Sequence, residues 1–325
     1  MRVGITSTIP LEIVLAAGHT LVDLNNVFMA SPSPAALVEV AERSGFPRTS
    51  CGWIKGIYGA LKELRPVDAV VAVTGGDCSN THALAETLVL DGMAIIPFSY
   101  PAERSRELLE AEMERFASAF GVTLRMAEEA RRSIEPLRRK LDELDRLLAA
   151  GVLPAADYHL LALSASDLAS DPASYERELD SALRAARRAR PRRDGLPVAL
   201  LGVPPIITDL FDLLEDASLR VVFDEIPRQF AMTWREGDIV EQYLAYTYPY
   251  GMSGRMMDIR RECALRGVKA VVHYTQSFCF RGIEDVVLRR LVGLPVLTVE
   301  GDAPAAGDER LRLRVESFAE VVAGG

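Results

Sequence analysis

The sequence predicts an α/β protein made of two doubly wound parallel-sheet (flavodoxin-like) domains joined by a helical segment. Three observations carry this. Short apolar runs alternate with helical patterns over the first hundred residues, the alternation returns after residue 195, and the strand signal vanishes in between. The expected units are an N-terminal α/β domain over 1–102, a helical segment and linker over 103–195, and a C-terminal α/β domain over 196–325.

In the first unit, Arg2–Thr6, Thr20–Leu24, Ala69–Thr74 and Met93–Phe98 read as strands. Several are apolar throughout, as strands covered on both faces must be. Pro10–Gly18 and Thr81–Leu90 read as helices between them. From Glu103 onward, Leu109, Met113, Phe116 and Phe120 recur at helical spacing, and Gly121 is a stop. A second run carries Leu137, Leu141, Leu144 and Leu148, with Pro136 expected to start or kink it. A third spans Ser174–Ala189, and the basic stretch Arg187–Gly195 reads as a surface linker. Then Val198–Leu201, Leu219–Phe223, Ala270–Tyr274 and Val296–Val299 read as strands. Asp209–Glu215, Ile239–Tyr243, Gly254–Arg266 and Ile283–Leu291 read as helices.

A chain of 325 residues, 49% hydrophobic, is ample for buried cores. The net charge of −9 (37 basic against 46 acidic side chains) argues against general binding to nucleic acid or anionic membrane. No apolar run reaches the length of a membrane span. The opening MRVGITSTIPLEIVLAAG has a weak basic end and contains Glu12, so it reads as strand, loop and helix rather than an export signal. A cytoplasmic location is expected, where four cysteines stay reduced and favour metal or redox roles over disulfides.

Cys78, in VTGGDCSNTH, and Cys279, in YTQSFCFRGIED, each fall just past the carboxyl end of an apolar strand and before a helix. That edge of an open α/β sheet is where ligands bind. Cys51, in RTSCGWIKG, sits before a helix of the first domain. Strand-end placement in both domains lets the three thiols converge on one cleft, where helix N-termini offer N–H groups to negative sulfurs. Spacing alone also fits three unrelated buried cysteines. It leaves zinc open as well, because His82 lies four residues after Cys78. Cys263, on an apparent helix, reads as a small core residue.

The ordered set of segments resembles the 2-hydroxyacyl-CoA dehydratase family, which includes benzoyl-CoA reductase subunits. TSTIPLEIVLAAG is similar to the family's first loop and helix, and CGWIKG and GDCSN to its first two cysteine segments. VALLGVPPIITDLFDLLEDASLRVVFDEI resembles the start of its second α/β domain, HYTQSFCFRGIED its third cysteine segment, and LPVLTVEGDAP with RLRVESFAE its C-terminal signature. The resemblance implies a [4Fe–4S] cluster held by Cys51, Cys78 and Cys279, with one iron left open. It also implies an ATP-hydrolysing iron–sulfur activator protein, a second copy or related subunit forming a dimer, and an acyl-CoA substrate. The implied reaction is loss of water from a 2-hydroxyacyl-CoA by one-electron, ketyl-radical chemistry. A low-potential reductase of another small substrate, or a cluster-carrying subunit without a substrate, are the alternatives. The chain has no Gly-Lys pair and hence no P-loop, in keeping with ATP use by a partner.

Other residues carry paired readings. The resemblance places the hydroxyl of Ser7 or Thr8 near the open iron, and either is equally a helix cap before Pro10. Glu12 is a candidate catalytic group, or an acid placed in a first helical turn for the helix dipole. Asn25 and Asn26 face the cleft or close a turn, while Thr208 and Asp209 read as caps. Lys55, Arg228 and Arg255 are candidates for coenzyme A phosphates or ordinary surface charges. His273, in an apolar strand, reads as a core residue. Tyr246, Tyr248 and Tyr250, at alternating positions, wall an acyl pocket or pack internally.

Overall fold

The computed structural model describes residues 1–192, 194–234 and 237–324. Eight strands form two sheets. β1 (Arg2–Ile5), β2 (Thr20–Asp23), β3 (Ala69–Gly75) and β4 (Ala94–Ser99) make the first, in the order β2-β1-β3-β4. β5 (Leu196–Gly202), β6 (Leu219–Asp224), β7 (Ala270–Gln276) and β8 (Val296–Gly301) make the second, in the order β6-β5-β7-β8. Every pairing is parallel. The architecture is the expected α/β fold with two flavodoxin-like sheets, and all eight strands lie where the apolar runs fall.

The two sheets share one winding. In each, the chain leaves the first strand for one neighbour and then returns to the other side, so the strand order reverses between β1 and β3 and again between β5 and β7. Loops diverge at such a reversal and leave a crevice beyond the carboxyl ends of the strands. β7 is buried along its whole length and β3 from Ala69 to Val73, with Val70 to Val73 and Ala270 to Tyr274 essentially without exposure.

The helices between residues 103 and 190 cover and connect the sheets. Helix Arg106–Ala119 buries Leu109, Met113 and Phe116. Helix Leu124–Ala149 is continuous and has Pro136 in its interior, twelve residues beyond its start, so the proline does not begin it. Proline there removes one backbone hydrogen bond, a cost of about 3 kcal/mol. Leu137, Leu141, Leu144 and Leu148 are all buried on one face, each contributing roughly 1.5–3 kcal/mol, so packing outweighs the break. This helix lies against helix Leu11–Ala16 on one side and β6 on the other. Helices Pro34–Arg43, Ala155–Leu163 and Glu225–Ala231 have no counterpart in the sequence reading. The segment 187–195 is exposed apart from Gly195, with Arg193 outside the described residues. Tyr246, Tyr248 and Tyr250 lie in an irregular turn rather than a strand. Among the described residues no helix is long and apolar enough to cross a membrane.

Candidate functional site

One cavity opens where the two crevices face each other. It encloses about 840 Å³ of atom-free space including its mouth, and Cys51, Cys78 and Cys279 all line it. Each thiol arrives from a different element. Cys51 is the N-cap of helix Gly52–Leu64. Cys78 follows β3 and precedes helix Asn80–Leu90. Cys279 follows β7 and caps the short turn Phe280–Ile283.

Local backbone chemistry fixes these loops. Gly76, between β3 and Cys78, has φ +80°, and a Cβ there would sit 2.7 Å from Tyr100 and 2.9 Å from Pro249. Glycine alone lets this loop turn left-handed and touch the second half of the chain. Phe278, directly before Cys279, is left-handed at φ 63° with its ring half exposed. A non-glycine residue there stores about 1–3 kcal/mol of strain. The surrounding contacts hold it. Arg281 donates to the Tyr248 carbonyl at 2.9 Å and stacks 4.2 Å from that ring. Arg281 also pairs with Glu284 at 3.3 Å, and Glu284 in turn accepts from Arg255 at 2.9 Å.

Burial raises all three thiols: Cys51 to about 11, Cys78 to about 12, and Cys279 upward as well. The backbone N–H groups of Ile54 and Trp53 at Cys51, Asn80 at Cys78 and Arg281 at Cys279 pull the other way. Each cysteine thus sits at the amide-bearing start of a helix or turn, an environment suited to a thiolate once a metal replaces the proton. The three thiols also feel one another's charge: Cys51 that of Cys279, and Cys78 that of both. Among the described residues no group of three or more His, Cys, Asp or Glu side chains is placed to hold a single metal ion. The three thiols line one cavity, and a polynuclear cluster held by one cysteine per iron would draw on such a set. His82 is exposed and does not line the cavity, and Cys263 is buried in an apolar cluster with Ile259 and Leu288.

Ser7 lines the cavity, as does Asp77 beside Cys78. Neither Ser7 nor Thr8 caps the first helix, whose N-cap is Pro10. Asn25 and Asn26 both line the cavity, and Asn25 also closes a turn on Asp23. Glu12 is not brought to this place. It is fully buried, accepting from Arg138 at 2.6 Å, Gln242 at 3.0 Å and Tyr243 at 2.8 Å. The candidate phosphate-binding cations are likewise spent inside the protein. Lys55 binds Glu42 at 2.8 Å, Arg228 meets Asp258 and Glu262, and Arg255 forms a two-point pair with Glu225 at 2.8 and 2.7 Å. They are neither free ligand donors nor surface charges. Asp209 accepts from the Gly307 N–H and makes no side-chain cap. His273 pairs with Asp285 at 2.8 Å in the core. Tyr248 lines the cavity, while Tyr246 packs against Tyr100 and Tyr248.

Residues that sequence reasoning missed are Asp23, Trp53, Asp77, Gln276 and Arg281, all in the cavity wall. Their signal was available in one form: each lies within three residues of a cysteine, or at the last position of a strand.

The family model described as 2-hydroxyglutaryl-CoA dehydratase, D-component, matches residues 6–322. The chain belongs to this family. No curated protein matches it. As a family member the chain is a 2-hydroxyacyl-CoA dehydratase-type component, and the match takes in β2 to β8 and all three cavity cysteines.

Proposed function

We propose that Cys51, Cys78 and Cys279 hold a [4Fe–4S] cluster with one iron free of cysteine, and that the chain dehydrates a 2-hydroxyacyl-CoA in the cytoplasm. The observation that carries this is the meeting of three thiols from both crevices on one cavity. No fourth thiol and no imidazole is among its described lining residues. When bound, the cluster supplies one-electron chemistry to the thioester, recharged by an ATP-hydrolysing iron–sulfur partner. The chain's own residues do the rest. Helix-start amides at each cysteine stabilise thiolate charge. Trp53, Ile54, Ile57 and Phe230 exclude water from the cavity. Ser7, just past β1, offers a hydroxyl in the cavity wall. Glu12 acts as a positioning group: through Arg138 and Tyr243 it ties the first helix to the connecting helix Leu124–Ala149 and to the second half. The units 1–102, 103–195 and 196–325 act together in a dimer with a second copy or a related subunit.

The test is single Cys→Ser replacement with anaerobic cluster reconstitution, followed by iron and sulfide analysis and the visible spectrum. Loss of iron is expected at Cys51, Cys78 and Cys279, and retention in Cys263→Ser. Full cluster content in Cys78→Ser refutes the assignment.

A further inference from the structure

The fold treats the two tryptophans of the chain differently. Trp234 donates its indole N–H to the Gln242 carbonyl at 3.1 Å. Trp53 Nε1 is buried and meets no acceptor among the described residues. An indole nitrogen is a donor only, and a buried donor left unmet bears the full desolvation cost of that group.

Its place narrows what can meet it. Trp53 stands in the first turn of helix Gly52–Leu64, two residues past Cys51, and lines the same cavity as the three thiols. Of the described lining residues it is the one with a buried polar side-chain atom that no protein group meets. Several acceptors of the wall serve other donors: Asp23 serves Asn25 and Ser166, Thr6 Oγ1 serves the Val73 N–H, and Gln276 Oε1 serves Tyr274.

The ring is also held in place. Phe28 meets it edge-on, with centroids 5.7 Å apart and planes at 82°. Phe28 is seated against Gly56, where a Cβ would come within 2.4 Å of the phenyl ring. The indole packs on two separate apolar clusters as well. A donor fixed in this way needs little reorganisation when an acceptor arrives.

A group that fills the cavity and satisfies this donor has to accept a hydrogen bond. The sulfurs of an iron–sulfur cluster do so, and their negative charge strengthens the bond. Hydrogen bonds to the sulfurs are among the means by which a protein sets a cluster's potential. Reduction adds negative charge, so an N–H donor favours the reduced form.

We propose that the Trp53 indole N–H donates to a sulfur of the bound cluster and raises its reduction potential, so that the cluster takes an electron more readily. The proposal rests on the cluster reading given above. Trp53 is then a tuning residue, acting through the cluster and not as a ligand.

The experiment uses the full chain with its cluster reconstituted anaerobically. Trp53→Phe keeps the aromatic contact with Phe28 and removes the N–H, and Trp234→Phe is the control. Potentials are read by redox titration in the visible spectrum. Trp53→Phe is expected to shift the equilibrium about tenfold toward the oxidised cluster, about 59 mV for one electron, while Trp234→Phe leaves it in place. A residue that only keeps water out predicts the opposite sign, because solvent beside the cluster favours the more negative, reduced form. The second readout is pulsed electron paramagnetic resonance of the reduced cluster in protein carrying indole-¹⁵N tryptophan. A ¹⁵N coupling is expected in the unaltered protein and in Trp234→Phe, and is lost in Trp53→Phe. Should Trp53→Phe hold no cluster, the labelled unaltered protein and Trp234→Phe decide alone: the coupling in both supports the proposal. Absence of that coupling, or a Trp53→Phe potential that is unchanged or higher, overturns the proposal and leaves the cluster reading standing. No cluster in the unaltered protein overturns both.

Discussion

Replacing Glu12 with alanine separates a positioning role from a catalytic one. Its carboxylate is wholly enclosed and accepts from Arg138, Gln242 and Tyr243. Tyr243 keeps a second partner, the Ile9 carbonyl at 2.8 Å, so its loss is small. Arg138 is the costly one. Without Glu12 it keeps only the Gln242 Oε1 at 2.8 Å, in a setting where its side chain is 11% exposed. Breaking a buried pair from one side costs about 3–5 kcal/mol, and the slight exposure places this case near about 3. For a chain of this size that lowers Tm by roughly 5 °C. Glu12→Gln keeps an acceptor and should lose less. Glu12→Leu combined with Arg138→Met removes both charges and should recover most of the loss, because no charge is then left unpaired. Calorimetric melting of the four proteins is the assay, with iron content expected to stay at the unaltered level throughout. A Glu12→Ala melting point within about 1 °C of the parent would refute the argument. So would a double variant as unstable as the single.

Other outcomes follow from the same coordinates. A Cβ at Gly52 would lie 2.4 Å from the Asp302 carbonyl oxygen, which is backbone and cannot yield. Gly52→Ala should therefore cost about 1–3 kcal/mol and reduce iron uptake by displacing Cys51; unchanged iron and Tm would contradict this. Burial, aided by the neighbouring Asp23, raises Asp167 from 3.8 to about 7. The folded state then holds a proton that the unfolded chain releases, so this group's contribution is full below about pH 4 and is lost as pH rises to about 7. Melting between those limits should show that slope, and Asp167→Asn should flatten it. Tyr158 is fully buried and its hydroxyl has no hydrogen-bond partner among the described residues. Tyr158→Phe should leave Tm unchanged or raise it, since an unmet buried hydroxyl costs about 1–3 kcal/mol; a fall of several degrees would show a partner.

The strands were legible because each is an uninterrupted apolar run, and a parallel sheet covered on both faces demands that pattern. Cys78 and Cys279 were legible for a related reason: a cysteine just past such a run must sit at the ligand-binding edge, whereas Cys51 follows no strand and was legible only through the family resemblance and its place before a helix. Glu12, Lys55, Arg228 and Arg255 were misplaced because charge says nothing about partners 13 to 231 residues away in the chain. Helix Glu225–Ala231 was hidden by Pro227 in its first turn, where proline is tolerated. The unbroken course through Pro136 was hidden because the leucine face that sustains it acts only once packed. Asp23 and Arg281 went unnoticed because partners distant in the chain hold them at the cavity, Ser166 and Asp167 for Asp23 and Tyr248 for Arg281.

The repeated strand order has a consequence for how the molecule is made. Cys51 and Cys78 belong to the first sheet and Cys279 to the second, so neither half alone owns the cavity. A chain that has folded only its first sheet presents two thiols and an open wall. The third arrives when β7 has paired with β5 and the Arg255, Glu284 and Arg281 chain has locked the Cys279 loop. The complete set of thiols therefore exists only in a molecule whose two halves have both folded.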